Sequence, residues 1–334
     1  MRSFNLLPGG GAMPELTFLQ AISRGIWEEM EADKTVFLMG EDIGKYGGAF
    51  RVTEGFLDRF GPERVIETPL AEEGFVGAAI GAAYVGMRPV VEFQFIDFIA
   101  CAFDLIVNFA CTSRYRWGQG VPVTFRGPWG GGVRAGPFHS RNIEMWFAHS
   151  PGIKVVAPST PTDAKGLIKA CIRDNDPCLF LEHKGLYRRI KEEVPDNSPA
   201  IPIGKAKIVR PGEQLTVVSY GMMVHRCLEA MAQMKDLSIE LIDLRTIYPL
   251  DRAAIVESVK KTNKIMVVHE DTRTGGIGGE IAAVVNEEAF EHLDGPVIRL
   301  TAPDTPVPSA PAMEDVFLPS VADIVKTARK LAAY

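Results

Sequence analysis

Cysteine and histidine are scarce in this sequence, and their spacing excludes several protein classes. The chain has 334 residues with five cysteines and six histidines, and no two cysteines form a CxxC pair. An odd number of irregularly spaced cysteines argues against a disulfide framework and against a structural zinc site. We expect all five thiols to be small residues of the core, as unpaired cysteines usually are. They are Cys101, Cys111, Cys171, Cys178 and Cys227.

Long apolar runs and a charge excess confined to one region are also missing. No apolar stretch approaches the roughly 20 residues of a membrane-spanning helix. The net charge of −6 is spread along the chain, so no basic surface for nucleic acid is indicated. The one charge-dense stretch, residues 188–193, mixes both signs and is typical of a solvated connector. We therefore expect neither a membrane nor a nucleic acid as a partner.

Nucleotide-binding motifs are absent or incomplete. The sequence has no GxxxxGK[ST] segment, which excludes a P-loop, and no GxGxxG followed at the proper distance by an acidic residue. A glycine-rich segment at 274–280 opens a predicted helix, where free N–H groups can hold an anion. A tight strand-to-helix crossing explains the same glycines, and we favour that interpretation. A nicotinamide-dependent oxidoreductase stays an alternative that this pattern disfavours.

Short apolar runs alternate with segments of helical periodicity through the first half of the chain. The runs are too continuous for half-exposed strands, which indicates parallel strands buried on both faces. Strands are predicted at 35–39, 90–95, 121–125, 153–157 and 178–181, and helices at 16–30, 72–84, 98–115 and 162–173. This βα order predicts an α/β fold with an open, mostly parallel sheet flanked by helices.

A break in this pattern divides the chain. Residues 186–203 are charged and then rich in Pro, Asp, Asn and Ser, which is a linker composition. A second βα series follows, with strands predicted at 215–219, 239–244, 265–269 and 297–300 and helices near 222–235, 251–261, 277–292 and 319–332. We expect a domain over 15–185, a second over 204–334, and a disordered extension over 1–14.

A loop with two glutamates leads into a predicted helix of small residues. Glu72 and Glu73 stand at the start of this helix. Small residues at Gly74, Gly77, Ala78, Gly81 and Ala82 leave a face that another backbone can approach closely. Acidic residues often stabilise helix N-termini and have no other role. A glutamate buried there in an interface would instead have a raised pKa and could share a proton with a ring nitrogen.

A second candidate is a long glycine-rich loop that follows a predicted strand and leads to His139. The loop spans residues 127–138 and contains five glycines. Loops at the carboxyl ends of parallel strands are the usual place for a ligand site. A histidine in such a loop is often only a hydrogen-bonded structural residue, and His149 and His183 have no stronger claim.

Several separate stretches, in one order, resemble the β subunits of the first components of 2-oxo acid dehydrogenases. These belong to the transketolase-like superfamily, which binds thiamine diphosphate. The resemblance covers about residues 15–334 and implies a pyrimidine-binding domain followed by a transketolase C-terminal-type domain. The segments that carry it are 38–44 (LMGEDIG), 68–72 (TPLAE), 91–98 (VEFQFIDF), 127–130 (GPWG), 139–140 (HS), 151–156 (PGIKVV), 163–167 (DAKGL) and 243–246 (DLRT).

The resemblance implies roles for five residues of this chain. Glu72 stands at the position of the glutamate that contacts the aminopyrimidine, and Leu70, Gln94 and Phe98 at positions that line the ring. Many relatives have tyrosine where this chain has Phe98, so a hydroxyl contact is absent while aromatic stacking can persist. His139 matches a histidine placed over the reactive end of the cofactor.

Metal sites follow from the same resemblance. Relatives hold the diphosphate through Mg²⁺ with a Gly-Asp-Gly…Asn segment, and this chain has no Gly-Asp-Gly. An α subunit is therefore expected to supply the magnesium and phosphate ligands, in an α₂β₂ tetramer. A structural potassium ion, held mostly by backbone carbonyls, is implied at Val121, Val123, Thr124, Cys171, Asp174 and Asp176.

The implied activity is oxidative decarboxylation of a 2-oxo acid with reductive acylation of lipoamide, in a complex with a lipoyl acyltransferase core. Segments 113–116, 186–188 with 191–195, and 243–247 look more like branched-chain than pyruvate enzymes. A pyruvate or acetoin dehydrogenase β subunit and a non-catalytic assembly subunit stay alternatives. We expect a bacterial cytoplasmic protein, or a mitochondrial matrix protein if the source is eukaryotic.

Overall fold

A computed structural model describes residues 13–196 and 198–334 of the chain. Most of the expected extension over 1–14 lies outside the described residues, as does Asn197. The described chain contains two large sheets and a short two-stranded one. The prediction of two mostly parallel sheets flanked by helices is confirmed.

The first large sheet has seven strands in the order β12-β6-β7-β5-β4-β2-β3. Only the edge strand β12 runs antiparallel to its neighbour. Strands β2, β5 and β7 are buried along their whole length, because helices cover both faces of the sheet. The strands are β2 (Val36–Gly40), β3 (Val65–Glu67), β4 (Arg88–Glu92), β5 (Thr124–Trp129), β6 (Lys154–Val156), β7 (Cys178–His183) and β12 (Thr246–Tyr248).

The second large sheet has five strands in the order β14-β13-β10-β11-β9, with only β9 antiparallel. The strands are β9 (Lys207–Arg210), β10 (Leu215–Ser219), β11 (Ile239–Asp243), β13 (Ile265–Thr272) and β14 (Ile298–Ala302). Strands β3, β9 and β12 of the large sheets were not predicted, because none of these segments is a long continuous apolar run.

Helices of the first half cover the seven-stranded sheet. They are α1 (Phe18–Ala32), α2 (Phe56–Phe60), α3 (Glu72–Tyr84), α4 (Ser113–Trp117), α5 (Glu144–Ala148) and α6 (Pro161–Arg173). Helix α1 begins with a capping box, in which the Thr17 side chain accepts from the Gln20 N–H and the Gln20 side chain accepts from the Thr17 N–H. Helices α1 and α6 pack against each other.

The second half has five helices among its described residues. They are α7 (Met222–Ala232), α8 (Arg252–Thr262), α9 (Ile277–Glu288), α10 (Pro311–Phe317) and α11 (Val321–Ala332). The four predicted helices of this half are present within a few residues of their predicted bounds, apart from a short 3₁₀ turn at Phe290–His292 after α9.

The prediction of one helix over 98–115 is wrong. The segment forms a 3₁₀ helix (Ile96–Ala102), a π-helix (Leu105–Ala110) and α4 in succession. The chain bends by 70° at the break after Ala102. Apolar periodicity cannot distinguish three, 3.6 and more residues per turn over such short pieces. Among the described residues no single helix is long and apolar enough to cross a membrane, and this bent pair would qualify by length and composition alone.

The segment predicted as a linker, residues 186–203, is packed in its described part. Leu186, Tyr187 and Val194 are buried. Lys191–Glu193 forms β8, which pairs with β1 (Glu15–Thr17), so part of the charged stretch at 188–193 is an edge strand rather than a solvated connector. Domain boundaries at 185 and 203 stay a prediction.

The two halves share one core. Strand β12 belongs to the second half of the chain but extends the first sheet by pairing with β6. The largest apolar cluster includes residues from both large sheets, and the rings of Trp129 and Tyr220 stack at 5.9 Å. Four of the five cysteines are buried as expected, whereas Cys101 is exposed.

Candidate active site

Four neighbouring parallel strands, β3, β2, β4 and β5, end at the same edge of the first sheet. Each is followed by one of the segments that the sequence singled out. Glu41 and Asp42 follow β2, the loop to Glu72 follows β3, and Gln94 follows β4. Because carboxyl ends of parallel strands are where α/β proteins bind ligands, this edge is the candidate site.

Glu72 is the first residue of α3 and is half-buried. Its N-cap residue, Ala71, makes no side-chain capping bond, so the carboxylate of Glu72 is placed to interact with the positive end of the helix. The small-residue face of α3 is uncovered: Gly74, Ala78 and Gly81 are exposed. A methyl group added at Gly81 would have no atom within 4 Å. Helix α3 therefore presents free backbone surface next to Glu72.

Glu41 is a site residue that sequence reasoning missed. Its side chain is buried, and its Oε1 has no hydrogen-bond partner among the described residues. Burial and the nearby charges of Glu72 and Asp42 raise the pKa of Glu41 to about 7. An acidic pair directly after a fully buried strand was the available signal. Two carboxyl groups thus lie close together at this edge.

Gln94, Phe98 and Leu70 lie at the same edge in different environments. The amide of Gln94 donates to Asp42 Oδ2 at 2.6 Å, which connects the ends of β4 and β2. Phe98 is half-buried. Leu70 is 79% exposed, so its apolar side chain lacks a partner within the described part of the chain. One exposed apolar side chain is ordinary on a protein surface, so Leu70 alone does not identify a binding surface.

His139 lies against the aromatic residues that follow β4. Its ring meets Phe95 at 4.5 Å and Phe98 at 5.6 Å between centroids, both edge-on. The structure therefore brings His139 and Phe98 into contact, although they are far apart in sequence. His149 lines a different cleft, and His183 is buried in a bond to Glu270.

Two unsatisfied polar atoms test whether this edge suits an aminopyrimidine. Glu41 Oε1 and Thr68 Oγ1 are buried and have no hydrogen-bond partner in the described chain. Buried polar atoms are normally paired, and those without a partner call for an absent ligand, water or partner. An aminopyrimidine carries amino donors and ring-nitrogen acceptors, so the residues present fit such a group.

Several residues of the predicted potassium site lie near one another, since the Val123 carbonyl accepts from the Cys178 N–H at 3.0 Å and Lys154 Nζ lies 2.7 Å from Asp174 Oδ1 and 3.9 Å from Asp176 Oδ2. Two cationic side chains already occupy this region. One is Lys154, and the other is Arg88, whose Nη1 donates to the Asp174 carbonyl at 2.8 Å. Within the described residues no group of three or more His, Cys, Asp or Glu side chains is arranged to hold a metal ion. The potassium site stays a prediction.

Two family models match the chain. Residues 15–190 match the transketolase pyrimidine-binding domain, and residues 204–324 match the transketolase C-terminal domain. The candidate edge, including Glu41, Glu72, Gln94, Phe98 and His139, falls entirely within the first match.

Curated relatives match nearly the whole chain. The 2-oxoisovalerate dehydrogenase subunit beta of Bacillus subtilis (strain 168) is 46% identical over 327 residues, which cover 96% of this chain and 100% of that protein. The pyruvate dehydrogenase E1 component subunit beta of the same organism is 45% identical, covering 96% and 99%. The mitochondrial pyruvate dehydrogenase E1 component subunit beta-2 of Oryza sativa subsp. japonica is 47% identical, covering 96% and 87%.

A solved structure described as a split gene transketolase, inactive beta4 tetramer, superposes with a TM-score of 0.79 and covers 95% of this chain and 98% of its own. Its 21% identity makes it a likeness of fold alone. The family rests on the two domain matches and the curated relatives. The chain belongs to the family of E1 β subunits of 2-oxo acid dehydrogenases, built from a transketolase pyrimidine-binding domain and a transketolase C-terminal domain.

Proposed function

We propose that the chain is the β subunit of a branched-chain 2-oxo acid dehydrogenase and supplies the pyrimidine half of a thiamine diphosphate site that an α subunit completes. The observation that carries this proposal is the position of Glu72, beside the buried Glu41 and next to the uncovered face of α3. The match to a transketolase pyrimidine-binding domain and the naming of the curated relatives as beta subunits support a thiamine site that is shared with a second kind of subunit.

Glu72 acts on the pyrimidine side of the site. Bound thiamine diphosphate supplies the electron sink for loss of carbon dioxide from a 2-oxo acid. The Glu72 carboxyl would exchange a proton with a pyrimidine ring nitrogen, since it stands at the start of α3 next to the uncovered face of that helix. Leu70, Gln94 and Phe98 line the ring, with Leu70 covered once the α subunit is bound.

His139 acts on the substrate side. Its edge-on contacts with Phe95 and Phe98 fix the plane of the imidazole while leaving it half-exposed. From there it orients the substrate or donates a proton during acyl transfer to lipoamide. Glu72 and His139 together are difficult to reconcile with a purely non-catalytic assembly subunit, which is the rival proposal.

The α subunit supplies the ligands for Mg²⁺ and diphosphate, because this chain lacks the Gly-Asp-Gly segment that would hold them. An α₂β₂ tetramer bound to a lipoyl acyltransferase core is the assembly we propose, in the bacterial cytoplasm or the mitochondrial matrix.

A branched-chain substrate is favoured by the wall around His139. Phe98 has no hydroxyl group, and it lies with Phe95 beside the imidazole, so this wall is apolar. Aliphatic side chains gain free energy by leaving water for such a surface, and pyruvate has less to bury. Identities of 45 to 47% to both kinds of relative do not separate the two substrates.

Assay of the chain assembled with a cognate α subunit tests this proposal. We expect decarboxylation of 2-oxoisovalerate and its branched homologues with a higher kcat/KM than that of pyruvate. A preference for pyruvate would assign the alternative substrate within the same family. No decarboxylation of any 2-oxo acid, from a stable assembly that binds thiamine diphosphate, would favour the non-catalytic role.

A further inference from the structure

The loop that carries His139 is held by a buried carboxylate of α10. The side chain of Glu314 is 0% exposed. Its Oε1 accepts from the Gly132 N–H at 2.9 Å, and its Oε2 accepts from the Arg134 N–H and from Arg134 Nη1, both at 3.0 Å. Three donors of one loop thus converge on one carboxylate, which lies in the second half of the chain.

A second carboxylate from the second half of the chain, that of Glu270, binds the first part of the same loop. Glu270 Oε2 accepts from the Gly131 N–H at 2.9 Å, while Glu270 Oε1 lies 3.0 Å from His183 Nε2. His183 Nδ1 accepts from the Gly185 N–H, which assigns the imidazole proton to Nε2 and makes it the donor to Glu270. Burial alone would raise the pKa of Glu270, but the hydrogen bonds from His183 Nε2–H and the Gly131 N–H oppose this and lower that pKa.

Several residues of this loop have positive φ angles, a backbone conformation that most amino acids rarely adopt. Gly130, Gly132 and Gly136 have φ of 85°, 81° and 69°, and the non-glycine Arg134 has φ of 64°. A non-glycine residue persists in this region only when its surroundings hold it there. The loop also lies directly on the second half, since a methyl group added at Gly131 would meet Leu318 at 3.1 Å.

We infer that Glu314, with Glu270, is a positioning residue through which the C-terminal domain sets the place of His139. This inference rests on the proposed function of His139 in acyl transfer. None of the hydrogen bonds given above for the two glutamates involves Glu72 or His139. Their contacts lie on residues 131–134, before His139 in the chain, while Asp97 Oδ1 accepts from the Arg141 N–H at 3.1 Å just after it. The histidine is therefore held between two anchored points, and one of them belongs to the other domain.

Glu314→Ala, with Asp315→Ala as its matched control, tests the inference in the assembled α/β enzyme. Asp315 is the next residue of α10 and binds the same arginine, Arg134 Nη2, but makes no bond to the loop backbone. Hydrogen exchange of the peptide spanning 130–140 is the direct readout. Faster exchange in Glu314→Ala and unchanged exchange in Asp315→Ala is the expected result. Unchanged exchange in both variants would overturn the inference.

Activity provides the second readout. A misplacement of about 1 Å can cost about a hundredfold in rate, so we expect Glu314→Ala to slow lipoamide acylation by about tenfold or more. Decarboxylation with an artificial electron acceptor should fall less. In a His139→Ala background, Glu314→Ala should cause no further loss of acylation, because both changes remove the same placed imidazole. Additive losses, or equal losses in both half-reactions, would overturn the inference.

Failure of the Glu314→Ala variant to assemble and failure of the role proposed for His139 can each be recognised separately. If Glu314→Ala does not assemble, Glu314→Gln keeps the side-chain volume and one acceptor oxygen, and the same pattern should appear in weaker form. If His139→Ala alone leaves acylation unchanged, the proposed function of His139 fails. Exchange of the 130–140 peptide then still decides whether Glu314 orders the loop.

Discussion

At the scale of single residues, the sequence around Glu72 and Glu41 is ordinary, but the fold places their two carboxyl groups close together. The TPLAE stretch and the helix after it predicted Glu72 from sequence. The acidic pair after β2 could have marked Glu41 as a candidate, but its closeness to Glu72 could not be predicted, because the distance between the ends of β2 and β3 is set by strand order and not by spacing along the chain. His139 and Phe98 show the same limit, since their contact depends on β5 lying next to β4.

Replacing Glu72 with glutamine should abolish most of the decarboxylation in the assembled enzyme. Glutamine keeps the volume but cannot donate and withdraw a proton at the pyrimidine ring, and general acid–base groups contribute about a hundredfold to ten-thousandfold. Turnover of a 2-oxo acid with an artificial electron acceptor measures this. Glu73→Gln, at the exposed next position of α3, is the control and should retain activity. Near-normal turnover of Glu72→Gln would contradict its assignment.

Glu41→Gln should change the pH dependence of stability of the chain. The folded-state pKa of Glu41 is raised from 4.5 to about 7, so the fold favours the protonated carboxyl. Its stabilising contribution is fully present below pH 4.5 and is lost as pH rises through about 7. Glutamine imitates the protonated form at every pH. Thermal unfolding should therefore show a higher melting temperature for the variant at pH 8 and little difference near pH 4, and an equal shift at both would count against the raised pKa.

At the scale of helices and strands, local signals predicted where elements begin better than how they pack. The bounds predicted for α3 agree with the structure, because acidic residues mark its start. The prediction of one helix over 98–115 failed, since the apolar spacing of this segment fits a straight helix as well as the bent succession of 3₁₀, π and α helices. The missed strands β3, β9 and β12 are edge strands, whose single-sided pairing leaves only a weak pattern in the sequence.

Gly25→Leu tests the close packing of α1 on α6. A methyl group at Gly25 would lie 2.6 Å from Ile168 Cγ2 and 3.1 Å from the Lys165 carbonyl, so the helices would have to separate. Overpacking of this kind costs about 1–3 kcal/mol, partly offset by about 1 kcal/mol of helix propensity gained over glycine. Gly81→Leu is the matched control in α3, where the space is open. Urea unfolding of both variants should show a loss for Gly25→Leu only, and equal stabilities would contradict the packing.

At the scale of the whole molecule, the two halves form one framework, and we propose that the site it exposes is completed by an α subunit. Strand β12 adds the second half to the first sheet, and the glutamates of the second half hold the loop of His139. The break in sequence pattern at 186–203 predicted two halves. It did not predict that the second half contributes a strand to the first sheet, because a linker composition says nothing about how the flanking parts pack. The missing Gly-Asp-Gly segment predicted a half-site, and the uncovered face of α3 is consistent with one.

Gly81→Leu should also interfere with assembly. The added side chain would fill the open face of α3 beside Glu72, where we propose that the α subunit packs. The variant chain should fold as the native chain does and yet fail to form a tetramer with the α subunit in size-exclusion chromatography. A normal tetramer would place the subunit contact elsewhere on the molecule.

The central claim is that this chain holds only half of a thiamine diphosphate site. Calorimetric titration with thiamine diphosphate and Mg²⁺, first on the chain alone and then on the chain assembled with a cognate α subunit, tests it most directly. We predict no saturable binding to the chain alone and saturable binding to the assembly, which Glu72→Gln weakens. Tight binding to the chain alone would contradict the claim, because it would require a diphosphate site within these 334 residues.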